Sequence, residues 1–234
     1  MSASDVLTGC SGMSYSQRTS LLIKFIQFFL FNSEQFPDYK LLSTKDIGSK
    51  AIASSDVSVK KLQSSIDSLR QLETELKSLS SSPVNQFLLI LGQNIQKPSR
   101  MILLNFSNFC VNHVSSDEDE LTEEDCTDFF RNIVQNPHFS KIFASAPPSR
   151  LHVFFRTDVA INFGNFIPKP DFNPLNRNCP IHLLNVISKE ETMEISFEEP
   201  CADGSNGLSD KLEKLLSSDN GLIWYSCSKV VTGC

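Results

Sequence analysis

The sequence has no concentrated basic region. Its 21 lysines and arginines are scattered among 27 aspartates and glutamates, and the net charge is −6. Nucleic acid and anionic membrane surfaces both require a clustered basic footprint, so neither is expected as the main partner. Long apolar runs are missing too. The most apolar stretch, Leu21 to Phe31, is interrupted by Lys24 and Gln27 and is too short to span a bilayer. The opening MSASDVLTGCSG has no basic region followed by an apolar core, so no secretory signal is expected there. Seven cysteines (10, 110, 126, 179, 201, 227 and 234) include no CxxC pair, and the four histidines are isolated from them and from one another. Free thiols in a reducing compartment are the expectation, with no metal site and no cofactor. Glycine-rich phosphate loops, GxSxG and HExxH are all absent. Nothing local points to catalysis, and the chain reads as a non-enzyme. Tryptophan and tyrosine are scarce, at one and three, against 18 phenylalanines. A Phe-rich core follows.

What is present organises around Leu121 to Val134, LTEEDCTDFFRNIV. At about 3.6 residues per turn, Cys126, Phe129, Phe130, Ile133 and Val134 share an arc of roughly 140°. Polar residues cover the other side. Ser115 and Ser116 with Asp117 to Glu120 offer capping oxygens and negative charge for the helix start, and Pro137 ends the pattern. The arc is wide enough to touch more than one neighbour, although periodicity alone would place all of it in the core. Cys126 lies near the helix start but on the apolar stripe, where an inert buried thiol is usual.

The remaining segments fall around this helix in order. Residues 1–13 read as a flexible tail, and 14–234 as one domain. Ser14 or Ser16 caps a first helix to Asn32 whose apolar residues occupy nearly every face. Residues 45–55 read as a loop. A second helix from Asp56 to Ser80 carries Val59, Leu62, Ile66, Leu69, Leu72, Leu76 and Leu79 at threes and fours. Phe87–Leu91 and Met101–Leu104 read as a buried strand pair joined by a turn. Further strands are expected at Leu151–Phe155, Ile181–Ile187, Met193–Phe197 and Leu222–Tyr225, and a loop from Ile161 to Phe172. Residues 198–219 read as a long polar loop, partly helical around Leu212 to Leu216. Helices early and strands late predict an α+β fold, with helices layered on a mostly antiparallel sheet.

Several short stretches in this order resemble the comet family, the HORMA-like adaptors that bind the spindle-checkpoint protein Mad-two. They are LLIKFI (21–26), FLLILGQN (87–94), FFRNIV (129–134) with PHFSKI behind it, FIPKPDF (166–172) and IWY (223–225). The resemblance implies a HORMA-like fold, with three helices packed on a mostly antiparallel sheet and a C-terminal safety-belt segment closed on the protein's own sheet. It implies an adaptor that binds closed Mad-two and presents it to a hexameric AAA+ remodelling ATPase, silencing the spindle assembly checkpoint. The nucleus and cytoplasm, with the spindle or kinetochore in mitosis, are the implied locations. The partner-contacting aromatic of the family falls on Phe130, beside Arg131. A further family contact, a Gln, falls on Phe29, so a polar contact there is replaced by an apolar one. The remodeller-binding Pro-Lys pair falls on Pro168 and Lys169. Residues 188–219 are longer and more acidic than the family's hairpin. Two other readings stay open at this point. One is a HORMA protein that captures a closure peptide with its own belt; the other is a hydrolase using the carboxylates of Glu123 to Asp125.

Overall fold

A computed structural model describes residues 13–37, 57–107, 121–161, 164–176, 178–188, 193–198, 207–217 and 221–234. Of the expected tail over residues 1–13, only Met13 is among them. It is buried and its carbonyl accepts from Arg18 Nε, so it belongs to the folded chain, which begins one residue earlier than expected. The rest of that tail, the loop at 45–55 and the capping serines 115 and 116 lie outside the described residues.

Three helices and a mixed sheet carry the fold. Helix α1 (Tyr15–Asn32) begins at Ser14, whose side chain accepts from the Gln17 amide while Gln17 reaches back to the Ser14 amide. Helix α2 (Val57–Lys77) buries Ile66, Leu69, Leu72 and Leu76, as the threes-and-fours spacing predicts. Helix α3 (Glu123–Gln135) is capped by Thr122, which forms the same reciprocal box with Asp125. The cap therefore sits closer to the apolar stripe than the expected serines, because an oxygen one residue before the first turn reaches the free amides directly. A single turn, α4 (Phe139–Ile142), follows the break at Pro137.

Among the described residues the strands are β1 (Gln86–Asn94), β2 (Lys97–Asn105), β3 (Arg150–Thr157), β4 (Phe166–Lys169), β5 (Ile181–Ser188), β6 (Met193–Glu198), β7 (Ile223–Cys227) and β8 (Val231–Thr232). Their spatial order is β4-β7-β3-β1-β2-β5-β6, and β8 also pairs with β3. Every pairing is antiparallel except β2 with β5, where Met101 lies opposite Ile181 and Leu104 opposite Leu184. The β1–β2 hairpin turns at Ile95–Gln96. Gly92 is required beside that turn, since a Cβ there would stand 2.6 Å from the Lys97 carbonyl oxygen.

Side-chain alternation along the central strands feeds two apolar layers. Phe87, Leu89, Leu91, Ile102, Leu104, Val153 and Phe155 face α1, α2 and α3. Leu88, Ile90, Met101, Leu103 and Phe154 face the other way, under α5 (Gly207–Ser217), whose Leu212 and Leu216 are buried on them. The stretch expected as a long polar loop, partly helical around Leu212 to Leu216, contains a helix that spans those residues. Its two leucines, four residues apart, close the far face of the sheet. The loop expected at 161–172 likewise contains the edge strand β4, in which Pro168 is tolerated because an edge strand needs amides on one side only.

The last residues are fastened by polar groups with little exposure. Glu75 of α2 is 5% exposed, and it accepts from the Ser228 hydroxyl and the Lys229 amide. Gln35, fully buried after α1, donates through its amide nitrogen to the carbonyls of Ser33 and Ala146 and accepts from the Ser149 amide. Its own carbonyl takes the Cys234 amide. One residue so joins the end of α1 and the segment before β3 through its side chain, and the final residues through its backbone carbonyl.

Candidate functional site

The apolar arc of α3 divides in two. Cys126, Phe129 and Ile133 are buried, while Phe130 is half-buried and Val134 is 52% exposed. Phe129 meets the Phe25 ring edge-on at 6.2 Å within the helix-side core. Phe130 instead lies against Phe28 of α1, ring centres 4.8 Å apart, and Phe28 continues to Phe139 and Phe143. The ring of Phe130 is held in place on one side and open on the other.

That open side faces a groove of about 810 Å³ between α1 and α3, lined by Lys24, Gln27, Cys126, Phe130, Arg131 and Val134 among others. Its polar groups are fixed by partners. Lys24 Nζ donates to Cys126 Sγ at 3.0 Å. Gln27 donates to Glu73 of α2 at 2.8 Å. Burial pushes the Glu73 carboxyl above its ordinary range, and the Gln27 hydrogen bond and the nearby cations Lys77 and Arg70 only partly offset this. Arg131 is exposed and pairs with Asp128 one turn back on the same helix. A concave apolar surface with a preset aromatic and a flanking guanidinium suits a protein partner.

The residues named from sequence separate into three places. Phe130 and Arg131 stand together at the groove. Phe29 does not join them: it is fully buried, stacked on Phe25 and edge-on to Phe143. The expectation of a partner contact there is corrected, because at about 100° per residue Phe29 turns into the core and its predecessor Phe28 turns outward. Pro168 and Lys169 lie on β4, opposite Tyr225 and Trp224 of β7. They occupy the β4 edge of the sheet, whereas α3 packs against β6 at the opposite edge.

Sequence reasoning missed Phe28 and Lys24. A signal existed in the first helix: Lys24, Gln27, Phe28 and Phe31 fall at i, i+3, i+4 and i+7, one stripe holding the only polar interruptions of the Leu21–Phe31 run. All four keep some exposure, and Phe31 is 39% exposed. Glu123 to Asp125 occupy the exposed first turn of α3, where carboxylates complement the helix dipole. Compared with known proteins, the chain matches no family model and no curated protein.

Proposed function

We propose that this chain is a HORMA-like adaptor of the comet type, which binds closed Mad-two through the α1–α3 groove and presents it to a hexameric AAA+ ATPase. The observation that carries the reading is Phe130, an aromatic held half-buried against Phe28 at the mouth of a groove, with Arg131 beside it. The layering of α1, α2 and α3 on one face of the sheet agrees with the fold that the comet resemblance implies. In this reading the segment from β6 to β8 is the safety belt, closed on the protein's own sheet. Pro168 and Lys169 on β4 engage the remodeller. Because β4 and the α3 side are opposite edges of one sheet, both partners can be held at once without competing for surface. The role is mechanical coupling and asks for no catalytic group.

The test is size-exclusion co-elution with a Mad-two locked in its closed form, wild type against Phe130→Ala, with melting curves of both. Wild type co-elutes; the variant, with its fold intact, does not. A wild-type chain that never co-elutes with closed Mad-two removes the reading.

A further inference from the structure

Within the groove, the ε-amine of Lys24 and the thiol of Cys126 meet across two helices, far apart in sequence, at a nitrogen–sulfur distance of 3.0 Å. Lys24 is half-buried, and Cys126 is 8% exposed. The pair forms part of the wall of a groove that a small oxidant can enter. Cys126 and Lys24 stand outside the main apolar cluster, which holds Phe25, Phe129 and Ile133. From this geometry we propose that Cys126 and Lys24 form an oxidative modification site, in which peroxide links the two side chains through a sulfur–nitrogen bond. The inference concerns the two residues alone and is independent of what docks in the groove.

The chemistry balances in two steps. Peroxide is attacked by the Cys126 sulfur; a sulfur–oxygen bond forms, the oxygen–oxygen bond breaks, and a sulfenic acid and one water result. The Lys24 amine, having given its extra proton to solvent, then attacks that sulfur. The nitrogen–sulfur bond forms, the sulfur–oxygen bond breaks, and the departing hydroxide takes the second amine proton to leave as water. Sulfur is oxidised and peroxide reduced; nitrogen contributes only its electron pair. Two equivalents of a dithiol's thiol groups reverse the link, restoring thiol and amine and leaving a disulfide.

Proximity decides between this outcome and the common one. A sulfenic acid with no neighbour proceeds to sulfinic acid or meets a second thiol. Here the amine is already in near-attack range, where an intramolecular step gains a large effective concentration. The facing groups are Glu123 and Thr127 on α3 and Gln27 on α1, and none of them is a competing nucleophile of comparable strength.

The full chain is treated with dilute hydrogen peroxide, digested with trypsin and mapped by mass spectrometry, with and without dithiothreitol afterwards. The expected product is a peptide joining the Lys24 region to the Cys126 region, uncleaved after Lys24, lighter by two hydrogens and lost on reduction. Lys24→Gln and Cys126→Ser, checked for an unchanged melt, each abolish it. The proposal is overturned if Cys126 remains a thiol, or passes to sulfinic acid unlinked, at a dose that oxidises Cys234. A joined peptide that persists in Lys24→Gln overturns it equally.

Discussion

The two edges of the sheet are built on different principles. At the β6 edge, α3 lies in an aromatic cluster: Phe130 touches Phe28 and Phe129, and these are tied to Phe25, Phe139 and Phe143. At the β4 edge, four residues pair with β7 alone, and Ile167 is 46% exposed. The first surface is rigid because its rings are packed from several directions. The second is held by one short ladder, on a strand whose proline leaves its outer side without a full row of amides. A rigid concave face favours recognition of a folded partner, since little ordering is required on binding. A lightly held edge strand favours a partner that grips extended backbone.

The sharpest way to break this comparison is inside α3 itself. Phe129→Ala removes a fully buried ring and is expected to cost about 3–5 kcal/mol in a denaturant melt. Phe130→Ala, one residue on, should cost less stability, because its ring is only partly buried. Equal losses in the two melts would show that Phe130 belongs to the core and would dissolve the contrast.

The adjacent test concerns binding. If the groove holds closed Mad-two, Phe130→Ala should weaken the complex by about 2–4 kcal/mol, or roughly 30-fold to 1,000-fold in Kd by calorimetry. Lys169→Ala should leave that Kd unchanged while weakening the ATPase complex. A variant at either edge that disturbs both complexes would mean that the two surfaces are not separate.

The contrast also shows what a sequence of this kind discloses. Helices α1, α2 and α3 were legible because periodic leucines and phenylalanines, and for α1 the Ser14 cap, are local features, and β1, β2 and β3 because continuous apolar runs mark strands buried on both faces. The parallel pairing of β2 with β5, the full length of α5 beyond Leu212 to Leu216 and the short strands β4 and β8 were not. Register between distant strands leaves no local trace, and a four-residue strand with a proline has the composition of a loop. For the site, periodicity gave the arc of α3 without saying which part of it is outward. Val134 and Phe130 are distinguished from Ile133 and Phe129 only by where α1 lies. Phe29 shows the same limit, since a helix apolar on nearly every side offers no way to choose its outer residue except the polar stripe through Lys24 and Gln27.

Smaller effects sharpen the picture of how the groove is held. Gly233→Ala would bring a Cβ to 2.1 Å from the buried Gln35 Oε1, and a loss of about 1–3 kcal/mol is expected by thermal melt. Thr122→Ala removes the cap of α3 and should cost about 1 kcal/mol, with earlier amide exchange confined to the first turn. An Arg131→Ala melt should move least, within about 0.5 kcal/mol, because its pairing with Asp128 is exposed.

The parallel β2–β5 pairing has a consequence for the order in which the sheet is completed. β1 and β2 join through a tight turn soon after they are synthesised, and β3 adds to the free side of β1. The other side of β2, from Met101 to Asn105, has no strand to pair with until residues 181–185 emerge. Over that interval an apolar row of unpaired amides and carbonyls is available to any extended segment nearby. The nascent chain is therefore most open to mispairing at the centre of the sheet rather than at its finished edges. A pulse-labelling experiment during refolding should find the amides of β1 protected early and those shared by β2 and β5 protected last.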